Sequence, residues 1–237
     1  MTHLANPEAL IPMTRDEALK ALERAGTAQN RKIWLKHGVR RPMFGVSYAA
    51  LKTIAKKIGT DHALAAALWK TGNHDAIILA TMIADPLAAT RAELAAWLRD
   101  LDNAPITDAF AAFASLSPYS TMLAKQWGAT RGEWTGAAGW VVLTHLVMTG
   151  DKVSDADLLG YLRTIERNMQ RSKNRVRYAM NGALIAIGMR GGELRKAALE
   201  AAARIGTVDV DHGETGCKTP DAAAYLKKAA AKKAKTA

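Results

Sequence analysis

Three clusters of side chains in this sequence have types and spacings that could do chemistry. The densest is Asp209, Asp211, His212, Glu214 and Cys217, three carboxylates, an imidazole and a thiol within nine residues. Such a set could bind a metal, yet it contains no CxxC and no paired histidines, the spacings of closed zinc sites. The alternative is a polar turn whose acids cap the next helix or pair with basic neighbours. The second cluster is basic: Arg171, Lys173, Asn174, Arg175 and Arg177, preceded by Arg163 and Arg167 and followed by Asn181. Cationic side chains and free amides at a helix start both attract phosphate, though a solvated basic face has the same composition. Arg40 and Arg41 form a second, weaker patch, as do Lys52, Lys56 and Lys57. The third is a single carboxylate, Asp108, in the stretch DNAPITDAF. There it is either an ordinary first-turn acid favoured by the helix dipole or a catalytic group.

Aromatic residues could assist such sites. The six tryptophans stand at 34, 69, 97, 127, 134 and 140. Most are expected in the core, with one or two facing a groove and stacking on sugars or bases. His37 and His74 read as helix-end residues and His145 as a core neighbour; none is assigned catalysis. The chain carries no GxSxG, P-loop or dinucleotide-binding fingerprint.

The elements that must position these groups are helices. Thr14 with Glu17, Thr90 with Glu93 and Thr130 with Glu133 have capping-box spacing. Gly26, Gly38, Gly59, Gly72, Gly128, Gly150 and Gly206 fall where helices should stop. Thr219-Pro220 reads as an N-cap followed by proline at the first helical position. Between these marks the apolar period is helical: Tyr48, Leu51, Ile54, Ala55 and Ile58; Leu158, Leu162, Ile165 and Met169; Val176, Met180, Ala183, Leu184 and Ile187. The pattern predicts about twelve helices with short, antiparallel connections, and only Thr207 to Val210 could be extended. A helix pair recurs roughly every 35–45 residues, the period of a HEAT-like solenoid, although a compact irregular bundle would repeat similarly. The division expected is a helical-repeat domain over 1–206, then a polar loop, short helix and lysine-rich tail over 207–237.

The balance of 33 basic and 22 acidic residues gives a net charge of +11. Five lysines in the last eleven residues (227, 228, 232, 233, 235) leave +6 on the rest. A basic body favours an anionic partner, nucleic acid first; a basic surface without such a partner is the alternative. The single cysteine excludes an internal disulfide and fits a reducing compartment. The first residues lack the pattern of a signal peptide. The most apolar run, Trp140 to Met148, is short for a membrane span and contains His145. A cytoplasmic, monomeric protein with no metal and no small-molecule cofactor is expected.

Three stretches carry a family resemblance: GVSYAALKTIAKKIGTDHALAAALWKTGNHDAIILATMIADP at 45–86, RSKNRVRYAMNGALIAIG at 171–188 and VDVDHGETGCKTPDAAAYLKK at 208–228. Over roughly 30–228 the chain resembles the HEAT-like DNA alkylation repair family, the AlkD-type DNA glycosylases. The resemblance implies an all-α solenoid of antiparallel helix pairs with a basic face that cradles duplex DNA. It also implies metal-free release of cationic alkylated purines such as 3-methyladenine and 7-methylguanine. In such chemistry an aspartate stabilises the developing sugar cation while the lesion stays stacked. The family aspartate maps to Asp108. The tryptophan four residues before it would fall on Ala104, the family arginine near Gly136 or Ala137, and the second tryptophan near Gly182. The acid is thus kept while its aromatic walls and arginine are not; Trp134, Trp140 and Trp97 are the candidates to stand in. Phosphate contacts are expected from Lys173, Arg175 and Arg177, then Arg40 and Arg41. Two readings stand beside DNA repair: a non-catalytic scaffold holding nucleic acid or a protein, and a metal-dependent enzyme built on Asp211, His212 and Cys217.

Overall fold

The computed structural model describes residues 13–150 and 152–236, with side chains as far as residue 232. The signal-peptide reading of residues 1–12 and the side chains of Lys233 and Lys235 lie outside them. Among the described residues thirteen α-helices follow one another: α1 (Arg15–Ala25), α2 (Ala28–Lys36), α3 (Tyr48–Ile58), α4 (His62–Trp69), α5 (His74–Ile83), α6 (Arg91–Arg99), α7 (Ala104–Ser115), α8 (Ser120–Gly128), α9 (Glu133–Thr149), α10 (Asp155–Asn168), α11 (Asn174–Met189), α12 (Gly192–Ile205) and α13 (Ala222–Thr236). A 3-10 turn, Met169–Arg171, precedes α11. Thr207 to Val210 forms no strand, nor does any other described segment.

The odd-numbered helices form one continuous row, each packed on the next from α1 to α13. Even-numbered helices back this row: α4 lies on α5, α8 on α9, and α12 on both α10 and α11. No substantial helix packing joins elements more than four apart in the chain. That locality separates a solenoid from a compact bundle, and the fold is an all-α HEAT-like solenoid of antiparallel helix pairs. Because alternate helices of such a stack run parallel, their N-terminal ends share one edge of the molecule.

The capping signals hold at some helices and are overruled at others. Thr14 and Glu17 form the full reciprocal box. Thr90 accepts from the Glu93 amide at 3.1 Å, but the Glu93 carboxylate turns to His62 Nε2 at 2.8 Å. The third box does not form: α9 has Gly132 as N-cap, Thr130 donates to the Trp127 carbonyl, and Glu133 accepts from the amide of Arg175 at 3.0 Å. A neighbouring helix start offered that carboxylate a free donor and took it. Thr219 is not the N-cap of α13 either. Asp221 takes that place, accepting from the Ala224 amide at 2.8 Å, while Thr219 pairs with His212. Downstream, α13 continues to Thr236 through the Ala/Lys stretch, which is rich in strong helix formers.

Glycines stop helices for two different reasons. Gly59 and Gly206 take left-handed φ of 74° and 71° at the ends of α3 and α12. Gly26 is not left-handed; a Cβ there would meet the Phe44 carbonyl oxygen at 2.3 Å. Gly139 in α9 is needed for contact of a similar kind, since its Cβ would lie 2.1 Å from the Gly128 nitrogen of α8. Trp69 and Trp97 stack face to face at 4.2 Å in the core, with Phe110 against both. No helix among the described residues is long and apolar enough to cross a membrane.

Candidate functional site

The shared edge of helix N-termini opens on a cavity of about 700 Å³. Tyr48 of α3, Asp108 of α7, Trp134 of α9, and Arg175 and Tyr178 of α11 all line it. Each stands in the first turn or two of its helix, so the parallel run of the odd row brings together residues far apart in sequence. Two further walls come from α2, through Trp34 and the turn at His37 and Gly38, and from the loop after α12, through residues 211–217.

Local interactions fix these side chains. Asp75 at the start of α5 is fully buried, and its carboxylate accepts from the amides of Phe44, Gly45 and Val46 at 2.6, 3.0 and 2.9 Å. It thereby pins the segment that leads into α3. Trp34 donates from Nε1 to the Val46 carbonyl at 3.3 Å and meets Tyr48 edge-on at 5.7 Å. Tyr48, read from the sequence as part of the buried stripe, is 40% exposed at the first position of α3. Asn103 caps α7 by accepting from the Ile106 amide at 3.1 Å, which sets the turn that carries Asp108.

Asp108 is open to the cavity by surface area, yet protein surrounds it on most sides. Water confined in a concave site solvates a carboxylate less well than bulk water does. This desolvation pushes its pKa up to about 6, against the opposing pull of Arg175. Burial, and then the Asp108 charge, raise Tyr48 to about 12. The Arg175 guanidinium lies 4.7 Å over the Tyr178 ring, whose other neighbour is His212 at 5.4 Å. His74, fully buried beneath Trp34, is held neutral by its burial, which lowers it to about 4.

The basic candidates are distributed unequally. Arg175 and Arg40 line the cavity; Arg40 donates to the carbonyls of Leu35 and Val39 at the end of α2. Lys173 is the exposed N-cap of α11, a first turn that no side chain of its own caps. Arg177 is half-buried, its Nε without a partner. Arg41 is engaged by Asp102 at 2.8 Å and by the Asp100 carbonyl. Lys52, Lys56 and Lys57 project to solvent along α3.

Ala104 does line the cavity, while Gly136, Ala137 and Gly182 do not. At Gly136 a Cβ would already touch Val176 at 3.0 Å, so α9 has no room there for a long side chain. The aromatic walls come instead from Trp34, Tyr48, Trp134 and Tyr178, and the arginine from α11. Trp97 and Trp140 are core residues. Sequence reasoning missed Trp34, Tyr48 and Tyr178 as wall residues, because only the stacking of the odd row brings them face to face.

The loop at 207–218 does not gather metal ligands. Among the described residues no three His, Cys, Asp or Glu side chains converge as a metal site. Asp211 exchanges two hydrogen bonds of 2.8 Å with the Asn174 side chain and accepts from the Gly213 amide at 2.7 Å. His212 pairs with Thr219 at 3.0 Å, and Cys217 is exposed on the cavity wall.

Comparison with known proteins agrees with this architecture. The family model described as DNA alkylation repair enzyme matches residues 16–232. The uncharacterized proteins Lin0241 of Listeria innocua and Lmo0209 of Listeria monocytogenes are each 30% identical over 221 residues, covering 90% of this chain and 95% of theirs. A solved structure superposes with a TM-score of 0.87 at 28% identity, covering 93% of this chain and 95% of that one. It is described as a new family of proteins related to the HEAT-like repeat DNA glycosylases with affinity for branched DNA structures.

Proposed function

Since the chain belongs to the DNA alkylation repair enzyme family, we propose that it binds DNA along the edge of helix N-termini and releases cationic alkylated purines at Asp108. The observation that carries this reading is the cavity itself, in which Asp108, the one of its four lining carboxylates whose pKa is raised, shares the space with aromatic walls and an arginine. Aromatic faces attract cations, and a base such as 3-methyladenine or 7-methylguanine bears a positive charge while it remains bonded to the sugar. Phosphates are held by Lys173, Arg175 and Arg177 at the start of α11, with Arg40 across the cavity and Arg41 after it exchanges its acid partner.

In the reaction the bond between C1′ and the purine nitrogen breaks. Its electron pair goes to the base, which leaves neutral, and the charge moves to the sugar. The Asp108 carboxylate stabilises that cation. Water then forms the new C1′–O bond, and its proton passes to the same carboxylate, whose pKa near 6 suits a base at neutral pH. No metal takes part.

The test is incubation with methylated duplex DNA and chromatography of the released bases. Wild type is expected to release 3-methyladenine or 7-methylguanine above the spontaneous rate. Asp108→Asn should lower that rate by about 100–1,000-fold with DNA affinity nearly unchanged. Release by wild type and Asp108→Asn alike would remove the carboxylate from the mechanism. No release by wild type would leave a non-catalytic DNA-holding module, the reading that the solved relative's affinity for branched DNA favours.

A further inference from the structure

A second cavity, of about 520 Å³, shares no lining residue with the one at Asp108. It lies between α8 and α10, where the helix packing is interrupted. α8 packs on α7 and α9, and α10 on α11 and α12, while no substantial packing joins α10 to α8 or to α9. Trp140 of α9 forms the floor and meets Tyr161 of α10 edge-on at 5.7 Å. Gly128 and Ala129 on one wall and Gly160 on the other have too little side chain to fill the gap.

We propose that this groove binds a small organic anion, a carboxylate or phosphate monoester with a compact apolar body, whose oxygen accepts from the Trp140 indole N–H. The site is independent of the DNA reading, which assigns no role to any of these residues. An unpaired donor is the first argument. Trp140 is 2% exposed, and its Nε1 has no hydrogen-bond partner among the described residues. Leaving a buried N–H without an acceptor is costly, and few such groups persist in folded proteins. A Cβ on Gly128 would stand 3.7 Å from Nε1 and Cε2 of that indole, so the space a side chain would take lies open beside the donor. The second argument is polarity. Lys125 and Lys152 are exposed at the rim and paired with no acid among the described residues. Tyr161 keeps its hydroxyl proton, because burial and then the Asp157 charge raise its pKa. Asp157, the one acid of the lining, is turned to the start of its own helix, where its carboxylate accepts from the Ser154 hydroxyl at 2.6 Å. The unengaged groups are thus donors, two of them cationic, and they select acceptor oxygens with negative charge. Size is the third argument. The volume falls within the roughly 300–1,000 Å³ of small-molecule pockets, and Val153, Ala129 and the Tyr161 ring suit an apolar body.

The experiment follows the indole N–H signals of the ¹⁵N-labelled full chain by NMR. Phenyl phosphate, benzoate, inorganic phosphate or benzyl alcohol is added. The Trp140 signal, assigned through the backbone, should shift and saturate with phenyl phosphate or benzoate, half-saturating at about 1 mM or below. The tighter of the two distinguishes a phosphate from a carboxylate ligand. Inorganic phosphate has the charge alone and benzyl alcohol the body alone; each should bind at least about tenfold more weakly. Gly128→Ala places a methyl group in the open space at an ordinary contact distance and favours the helix, so it should fold at least as stably and lose the binding. Lys125→Gln with Lys152→Gln should weaken binding at least about tenfold. The inference is overturned if neither ring-bearing anion gives a saturating shift at Trp140, or if Gly128→Ala binds as wild type does. It is equally overturned if inorganic phosphate binds as tightly as phenyl phosphate, which would leave an unselective anion site.

Discussion

Asp108 titrates in a range that can be read in two ways. Its folded pKa, about 6, exceeds the ordinary value of 3.8 because its confined site disfavours the charge. The folded state therefore holds the proton more tightly than the unfolded state. This contribution to stability is fully present below pH 4 and is lost as the pH rises through 6. Asp108→Asn does not titrate, so it should melt at a higher temperature than wild type at pH 7.5, with the advantage gone at pH 4. Activity runs in the opposite sense. Base release should rise with pH as the carboxylate ionises and level off above about pH 6–7. An equal melting difference at both pH values would mean that the site does not shift this group. The residue was visible in the sequence, but its environment was not. Tyr48 and Trp34 lie more than fifty residues before it and Arg175 more than fifty after it.

At the scale of elements, the proposed function rests on helix starts and the stability on helix contacts. The start of α11 presents Lys173, Arg175 and Arg177 with no side-chain cap of its own. If these bind phosphates, Arg175→Ala with Arg177→Ala should reduce the slope of log affinity against log salt by about two units, equally for all sequences. An unchanged slope in a folded variant would mark the cluster as a solvated face. The contact of α8 with α9 makes a different demand. Gly139→Ala forces a Cβ onto the backbone of Gly128, and we expect a loss of about 3 kcal/mol in urea unfolding. Most elements were legible because caps and apolar periods are local. Thr14–Glu17 formed as expected, whereas Thr130–Glu133 did not, because the donor that captured Glu133 belongs to a helix 42 residues away. Tertiary partners of that kind leave no mark on local spacing. The same limit applied to the 207–218 loop, whose acids and histidine drew attention as chemistry and act as a wall.

Among the described residues, helix packing is mainly between close neighbours in the chain, whereas Gly213 of the loop after α12 lies against the Lys36 carbonyl at the end of α2, where an added Cβ would stand 3.3 Å from that oxygen. This has a consequence for the order of assembly. A stack of local pairs can grow from any point, but a closure across 177 residues must wait until both ends of the stack exist. The contact of the 211–217 loop with α2 should be the last made during folding and the first undone, opening while α7, α9 and α11 remain intact. Amide hydrogen exchange tests this directly. Amides of residues 211–217 should exchange by a local opening well below the global unfolding free energy, and those in the middle of α9 only by global unfolding. If the cavity holds DNA as proposed, thermal opening of this wall would limit how often DNA can be admitted or let go.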